Sequence, residues 1–279
     1  SLFSSTFLLF RLQMYANFSP MLDWFELIAL VIGGFAAGLI NVVAGNGSAI
    51  TLPLLMWVGL DANAANATNR VGALFQTTSA ISALSKTART KYMMKQSYFI
   101  IPPVIIGAVI GANLAIDLPE DLMRITIGSI MILLLITTLT NPKKWLIPTD
   151  GSKNKRTPAL WLAYFGLGLY GGFIQMGFGI FFLSISVLLA KYALRDGNIM
   201  KLFVAFLMTI PAFIIYAWSG SIDWVYGLTL ALGTSLGARF GAKKVVQHKK
   251  ANAITRKVLI VVIIVAIVKM FQPYIAQLI

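Results

Sequence analysis

Two glycine-flanked breaks, Gly45-Asn46-Gly47 and Gly177-Phe178-Gly179, interrupt apolar stretches at an offset of 132 positions (45 to 177). A helix broken inside hydrocarbon leaves N–H and C=O groups that only protein, water or a solute can satisfy, so each break implies a polar cavity. A half-helix beginning at Asn46 or Ser48 would turn its free N–H groups and the positive end of its dipole toward an anion. Two cations lie in the segments that follow, Arg70 within 63–85 and Lys201 within 197–218. An intramembrane cation is costly and is by default a functional candidate. Ser48, Asn69, Gln76 and Gln175 supply uncharged groups suited to oxygen atoms. The substrate-binding set expected from the sequence is therefore Gly45, Asn46, Gly47, Ser48, Asn69, Arg70, Gln76, Gln175, Gly177, Gly179 and Lys201. The plainer alternatives are a hairpin turn packed on glycine, cations that snorkel to the interface, and interhelical hydrogen bonds of about 1 kcal/mol or less each.

Catalysis has little to work with. The chain has no cysteine, its one histidine is His248 in a lysine-rich loop, and its nine acidic residues fall at segment ends or in loops. Metal hydrolysis, acid–base chemistry and nucleophile triads all need such groups to converge. No catalytic residue, metal site or cofactor is expected, and no mid-membrane carboxylate exists to relay protons or bind sodium.

The elements that must position these residues are membrane spans. Hydrophobic residues make up 58% of the 279 and charged residues 11%, against about a quarter charged in soluble domains. Apolar runs punctuated by glycine, proline and charge fall near 22–44, 48–60, 63–85, 97–117, 121–140, 158–176, 179–190, 197–218, 222–242 and 257–272. The runs 48–60 and 179–190 reach only about 20 Å as helix, short of a hydrocarbon core of about 30 Å. They read as half-helices or parts of broken hairpins.

An internal repeat orders the chain. At the 132-residue offset Gly34 matches Gly166, Asn66 matches Asn198, Ala73 matches Ala205, Thr77 matches Thr209, and Asn69 stands opposite Lys201. At an offset of 126, Gly107-x-x-x-Gly111-Ala112 matches Gly233-x-x-x-Gly237-Ala238; these small-residue pairs serve helix packing. Basic residues gather at 86–95, 143–156, 191–195 and 243–257, whereas the loops holding Asp61, Asp117 to Asp121 and Asp223 are acidic. Basic loops on the cytoplasmic side put both termini outside the cell membrane. Five segments per unit is odd, so tandem copies must insert in opposite senses. The fold class is thus an all-α integral membrane protein, with about ten transmembrane or half-membrane helices in two inverted five-segment repeats. Residues 1–21 form an N-terminal arm or expression remnant, 22–140 the first repeat, 141–157 a basic cytoplasmic linker and 158–279 the second repeat. The net charge of +14 follows the positive-inside pattern and implies lipid, not nucleic acid, as the large partner.

The stretch from Gly38 to Pro53, GLINVVAGNGSAITLP, followed by GLDANAANATNRVGAL, resembles the first signature of the sulfite exporter TauE/SafE family, also called the toluene sulfonate uptake permease family. The recurrence of the glycine break and the basic central loop are similar to that family too, over residues 22 to 272. The resemblance implies a permease of the cell inner (plasma) membrane for sulfur oxyanions or organosulfonates, such as sulfite or sulfoacetate. The family's triple-glycine break stands here as Gly45-Asn46-Gly47, with Phe178 in the second copy. Export is the simplest direction, because an inside-negative potential drives an anion outward. A non-transporting membrane scaffold or assembly subunit and a carrier for another small solute are the alternatives. Exposed small-residue faces leave a homodimer open.

Overall fold

The computed structural model describes residues 24–84, 87–139 and 157–245, with 260, 261, 263, 264 and 267. The arm 1–21, nearly all of the linker 141–157 and most of the segment 257–272 lie outside the described residues.

Among the described residues ten α-helices follow one another: α1 Trp24–Ala44, α2 Ser48–Trp57, α3 Ala62–Ala83, α4 Ala88–Gln96, α5 Ile101–Ile116, α6 Glu120–Leu139, α7 Pro158–Phe173, α8 Phe178–Ser184, α9 Leu194–Trp218 and α10 Trp224–Phe240. A π-helical turn, Ile185–Leu189, extends α8, and another, Gly241–Val245, follows α10. There is no strand among the described residues. Helices α1, α6 and α9 are each long and apolar enough to cross a bilayer, and α4 with α5 forms a pair bent by 60° that passes together. Isoleucine and leucine side chains stand exposed one turn apart, Ile28 and Ile32 on α1, Leu228, Leu232 and Leu236 on α10. That spacing presents one apolar face per helix, and water would not tolerate so much of it. The protein is embedded in the membrane.

Helix α3 has the length of a span but carries Asn66, Thr68, Asn69, Arg70, Gln76 and Thr77, all buried. Its polarity is turned toward protein, which is the arrangement a polar helix at membrane depth requires. The stretch 87–96, read from its charges as a loop, is instead the short helix α4. Thr87 caps it by accepting from the Thr90 amide at 3.1 Å, and Thr90 and Met93 are buried while Arg89, Lys91 and Lys95 are exposed. Hydropathy alone misses such a helix, because only one narrow face is apolar.

The long contacts run in matched pairs. Helix α1 packs along α10 and α7 packs along α5; α3 packs on α10 and α9 on α5; α3 and α9 meet at the centre. Glycine allows the first two pairs to touch backbone to backbone. A Cβ on Gly111 would overlap the Leu169 carbonyl of α7, and one on Gly237 would overlap the Phe35 carbonyl of α1. Helices α2 and α8 are held inside this frame, where α1 meets α2, α2 meets α3 and α8 meets α7 and α9.

Candidate functional site

Both breaks turn on a glycine in the left-handed region, Gly45 at φ 77° and Gly177 at φ 71°, where a side chain would be strained. Asn41, one turn before the first break, organises it. Its carbonyl accepts from the Gly45 amide at 2.8 Å and its side-chain Oδ1 accepts from the Gly47 amide at 3.2 Å. The two breaks touch, since the Gly179 amide donates to the Gly45 carbonyl at 3.1 Å. A Cβ on either of these glycines would collide with the other's backbone.

Against the breaks lies a cavity of about 30 Å³, room for one or two water molecules. Asn41, Ser48 and Thr51 line it from α1 and α2; Asn69, Ala73, Gln76 and Thr77 from α3; Gln175, Phe178 and Gly179 from the second break; Lys201, Leu202 and Ala205 from α9; and Thr234 from α10. The hydrogen bonds hold these groups in place. Thr51 Oγ1 donates to Asn69 Oδ1 at 2.5 Å, Asn69 Nδ2 to Ser48 Oγ at 3.2 Å, and Gln175 Nε2 to Thr209 Oγ1 at 2.6 Å. Lys201 is the one charged residue on the wall, and no carboxylate stands among the described lining residues. Its Nζ donates to the carbonyls of Asn41 at 3.3 Å and Val42 at 3.5 Å. These are the last turn of α1, whose carbonyl end carries negative partial charge.

Arg70 is fully buried and does not reach the cavity wall. Its Nη1 donates to the Gly171 carbonyl at 2.7 Å, and its Nη2 to those of Gly172 at 2.9 Å and Phe173 at 3.2 Å. Longer contacts reach Gln175 Oε1 at 3.5 Å and Asn66 Oδ1 at 3.4 Å. The guanidinium lies 5.0 Å from the Tyr216 ring centroid, and Tyr216 Oη itself donates to the Gly172 and Phe173 carbonyls. Asn66 Nδ2 adds a third donor to Phe173 at 2.9 Å. The orphan carbonyls at the end of α7 are thus satisfied by side chains from α3 and α9.

Of the residues expected from the sequence, the cavity gathers Ser48, Asn69, Gln76, Gln175, Gly179 and Lys201. Gly45, Gly47 and Gly177 shape the breaks, and Arg70 stands behind the second. Asn46 is fully buried with neither its Nδ2 nor its Oδ1 partnered. An unpaired buried amide costs about 1–3 kcal/mol, so the first break holds polar groups left without bonds in this conformation. Asn41, Thr51 and Thr234 line the cavity as well but were not in the sequence-based set. Thr51 lies three residues after Ser48 and so shares its helical face, a signal that was there to use; Thr234 follows Gly233, and nothing but the packing of α10 on α3 brings it in. Among the described residues no three His, Cys, Asp or Glu side chains come together as a metal site would need.

The model of the sulfite exporter TauE/SafE family matches residues 30–270. A protein of Sinorhizobium sp. described as "Probable membrane transporter protein ORF9" is 28% identical over 250 residues, 89% of this chain and 94% of that one. A "Probable membrane transporter protein" of Haemophilus influenzae is 26% identical over 223 residues, 78% of this chain and 84% of that one. The "Probable membrane transporter protein YfcA" of Escherichia coli strain K12 is 25% identical over 230 residues, 81% of this chain and 82% of that one. No solved structure matches the chain.

Proposed function

The chain belongs to the sulfite exporter TauE/SafE family, and from that premise we propose that it exports a small sulfur oxyanion or organosulfonate, such as sulfite or sulfoacetate. It is a membrane transporter and not an enzyme. The observation that carries the substrate reading is Lys201, a buried cation on the wall of a cavity with no carboxylate lining it. A buried charge without a full counter-charge is costly, and an anion supplies one. Ser48, Thr51, Asn69, Gln76 and Gln175 ring the same space with neutral hydrogen-bonding groups, as an oxyanion with several acceptor oxygens needs.

Two oppositely inserted units, 22–140 and 158–279, complete the proposal, with the linker 141–157 cytoplasmic, both termini outside and the inner membrane as location. The mirrored packing of α1 on α10 and α7 on α5 supports this reading. So do the matched pairs Asn69 with Lys201 and Ala73 with Ala205, which face one cavity from α3 and α9.

The test is a thermal-stabilisation screen of purified protein with sulfite, thiosulfate, sulfoacetate and taurine beside carboxylates of similar size, followed by flux in proteoliposomes. Sulfur anions are expected to stabilise and to move. Stabilisation by carboxylates alone would replace the substrate class, and no effect from any anion would favour a carrier for another small solute.

A further inference from the structure

Two cations are buried among the described residues, Arg70 on α3 and Lys201 on α9, and each donates to carbonyls at the cut end of a helix that precedes a break. Arg70 takes the carbonyl of Phe173 at 3.2 Å and Lys201 takes that of Asn41 at 3.3 Å. Positions 41 and 173 are equivalent at the 132-residue offset. Each cation therefore caps the broken helix of the other half, where the dipole presents roughly half a negative charge.

The two caps differ in grip. Arg70 makes three carbonyl bonds of 2.7 to 3.2 Å, stacks on Tyr216 and is backed by Tyr216 and Asn66 on the same carbonyls. Lys201 makes two long contacts, 3.3 and 3.5 Å, and stands on the cavity wall. The difference follows from register. Lys201 occupies the position equivalent to Asn69, which faces the cavity; Arg70 is one residue further along, a rotation of about 100° around the helix.

We infer that the caps divide the work. Arg70 is a permanent cap, a positioning residue that keeps the second break and Gln175 in place without touching substrate. Lys201 is an exchangeable cap, drawn off the α1 carbonyls by the bound anion, so that binding loosens the first break. The inference rests on the anion reading above. An oxyanion offers a full charge and shorter, stronger bonds than a helix end at 3.3 Å. When Nζ turns to it, Asn41 and Val42 lose a donor, and Asn41 is the residue that anchors both Gly45 and Gly47. Asn46, whose amide has no partner in this conformation, sits in the segment so released. The first break is built to move and the second to stay.

Amide hydrogen exchange of the full chain in lipid nanodiscs, with sulfoacetate and sulfite as probes, tests this. A saturating probe should raise exchange across 42–50 by roughly tenfold and leave 171–179 unchanged. Lys201→Gln should show the raised exchange at 42–50 without any probe, and Lys201→Arg should restore protection. Arg70→Gln should loosen 171–179 and weaken binding, with Arg70→Lys recovering part of both. Binding without a rise at 42–50 overturns the exchangeable cap and leaves the permease reading standing; so does a Lys201→Gln protein whose 42–50 amides match the wild type. Loss of binding in Arg70→Gln with 171–179 fully protected would make Arg70 a ligand and overturn its positioning role. If neither probe binds the wild type, the sulfur-anion reading falls and this inference with it. Should Lys201→Gln fail to fold, the wild-type comparison with and without probe decides alone.

Discussion

Lys201 Nζ lies 3.3 Å from the backbone carbonyl of Asn41, the residue whose side chain and main chain together hold the first glycine break. One buried charge is thereby joined both to the cavity and to the break beside it.

Replacing that charge should be felt first in affinity. Hydrogen bonds to a charged group contribute about 1.5–3 kcal/mol, so Lys201→Gln should weaken binding of the best anion by roughly 10- to 150-fold. Calorimetric titration measures it. An unchanged dissociation constant would remove Lys201 from the site.

Asn46 should separate stability from transport. Because neither polar atom of its side chain is paired, Asn46→Ala is expected to leave the unfolding temperature level or raise it while lowering flux. A large fall in unfolding temperature would mean that the amide is bonded in the resting protein.

Glycines inside the helices should not be equivalent. A Cβ on Gly166 meets nothing within 4 Å, whereas one on Gly111 strikes the Leu169 backbone. Gly166→Ala is expected to be neutral or stabilising by up to about 1 kcal/mol, and Gly111→Ala to destabilise by about 1–3 kcal/mol. Thermal unfolding in detergent ranks the two, and equal effects would contradict the packing of α5 on α7.

The surface helix α4 is tied to the start of α9 through Arg89, whose Nε donates to Asp196 Oδ1 at 3.0 Å in a two-pronged pair. Asp196→Asn should speed amide exchange over 88–96. Since Arg89 is largely exposed, high salt should narrow the gap between variant and wild type. A difference that ignores salt would place the effect elsewhere.

Membrane potential should steer the flux. Each charge moved outward across 100 mV, inside negative, gains about 2.3 kcal/mol, which corresponds to about 50-fold in the limiting concentration ratio. Proteoliposomes with a potassium diffusion potential report this directly. Outward movement that follows the pH gradient and ignores voltage would mean that the anion crosses together with a proton.

Hydropathy, the paired glycine breaks and the signature from Gly38 to Pro53 made the membrane class, the family and part of the cavity wall legible in one dimension. Those features depend on residues near in sequence, on local period and on the backbone freedom of glycine, so a linear reading reaches them. Helix α4 escaped because its apolar face is too narrow to raise mean hydropathy. The division between Arg70 and Lys201 was decided only in three dimensions. Both are basic residues in helices after a break, yet which carbonyls each one meets depends on partners 101 to 160 residues away. One step of helical register, combined with how α3 and α9 pack against the cut ends of α7 and α1, turns one charge into a clasp and leaves the other facing the cavity.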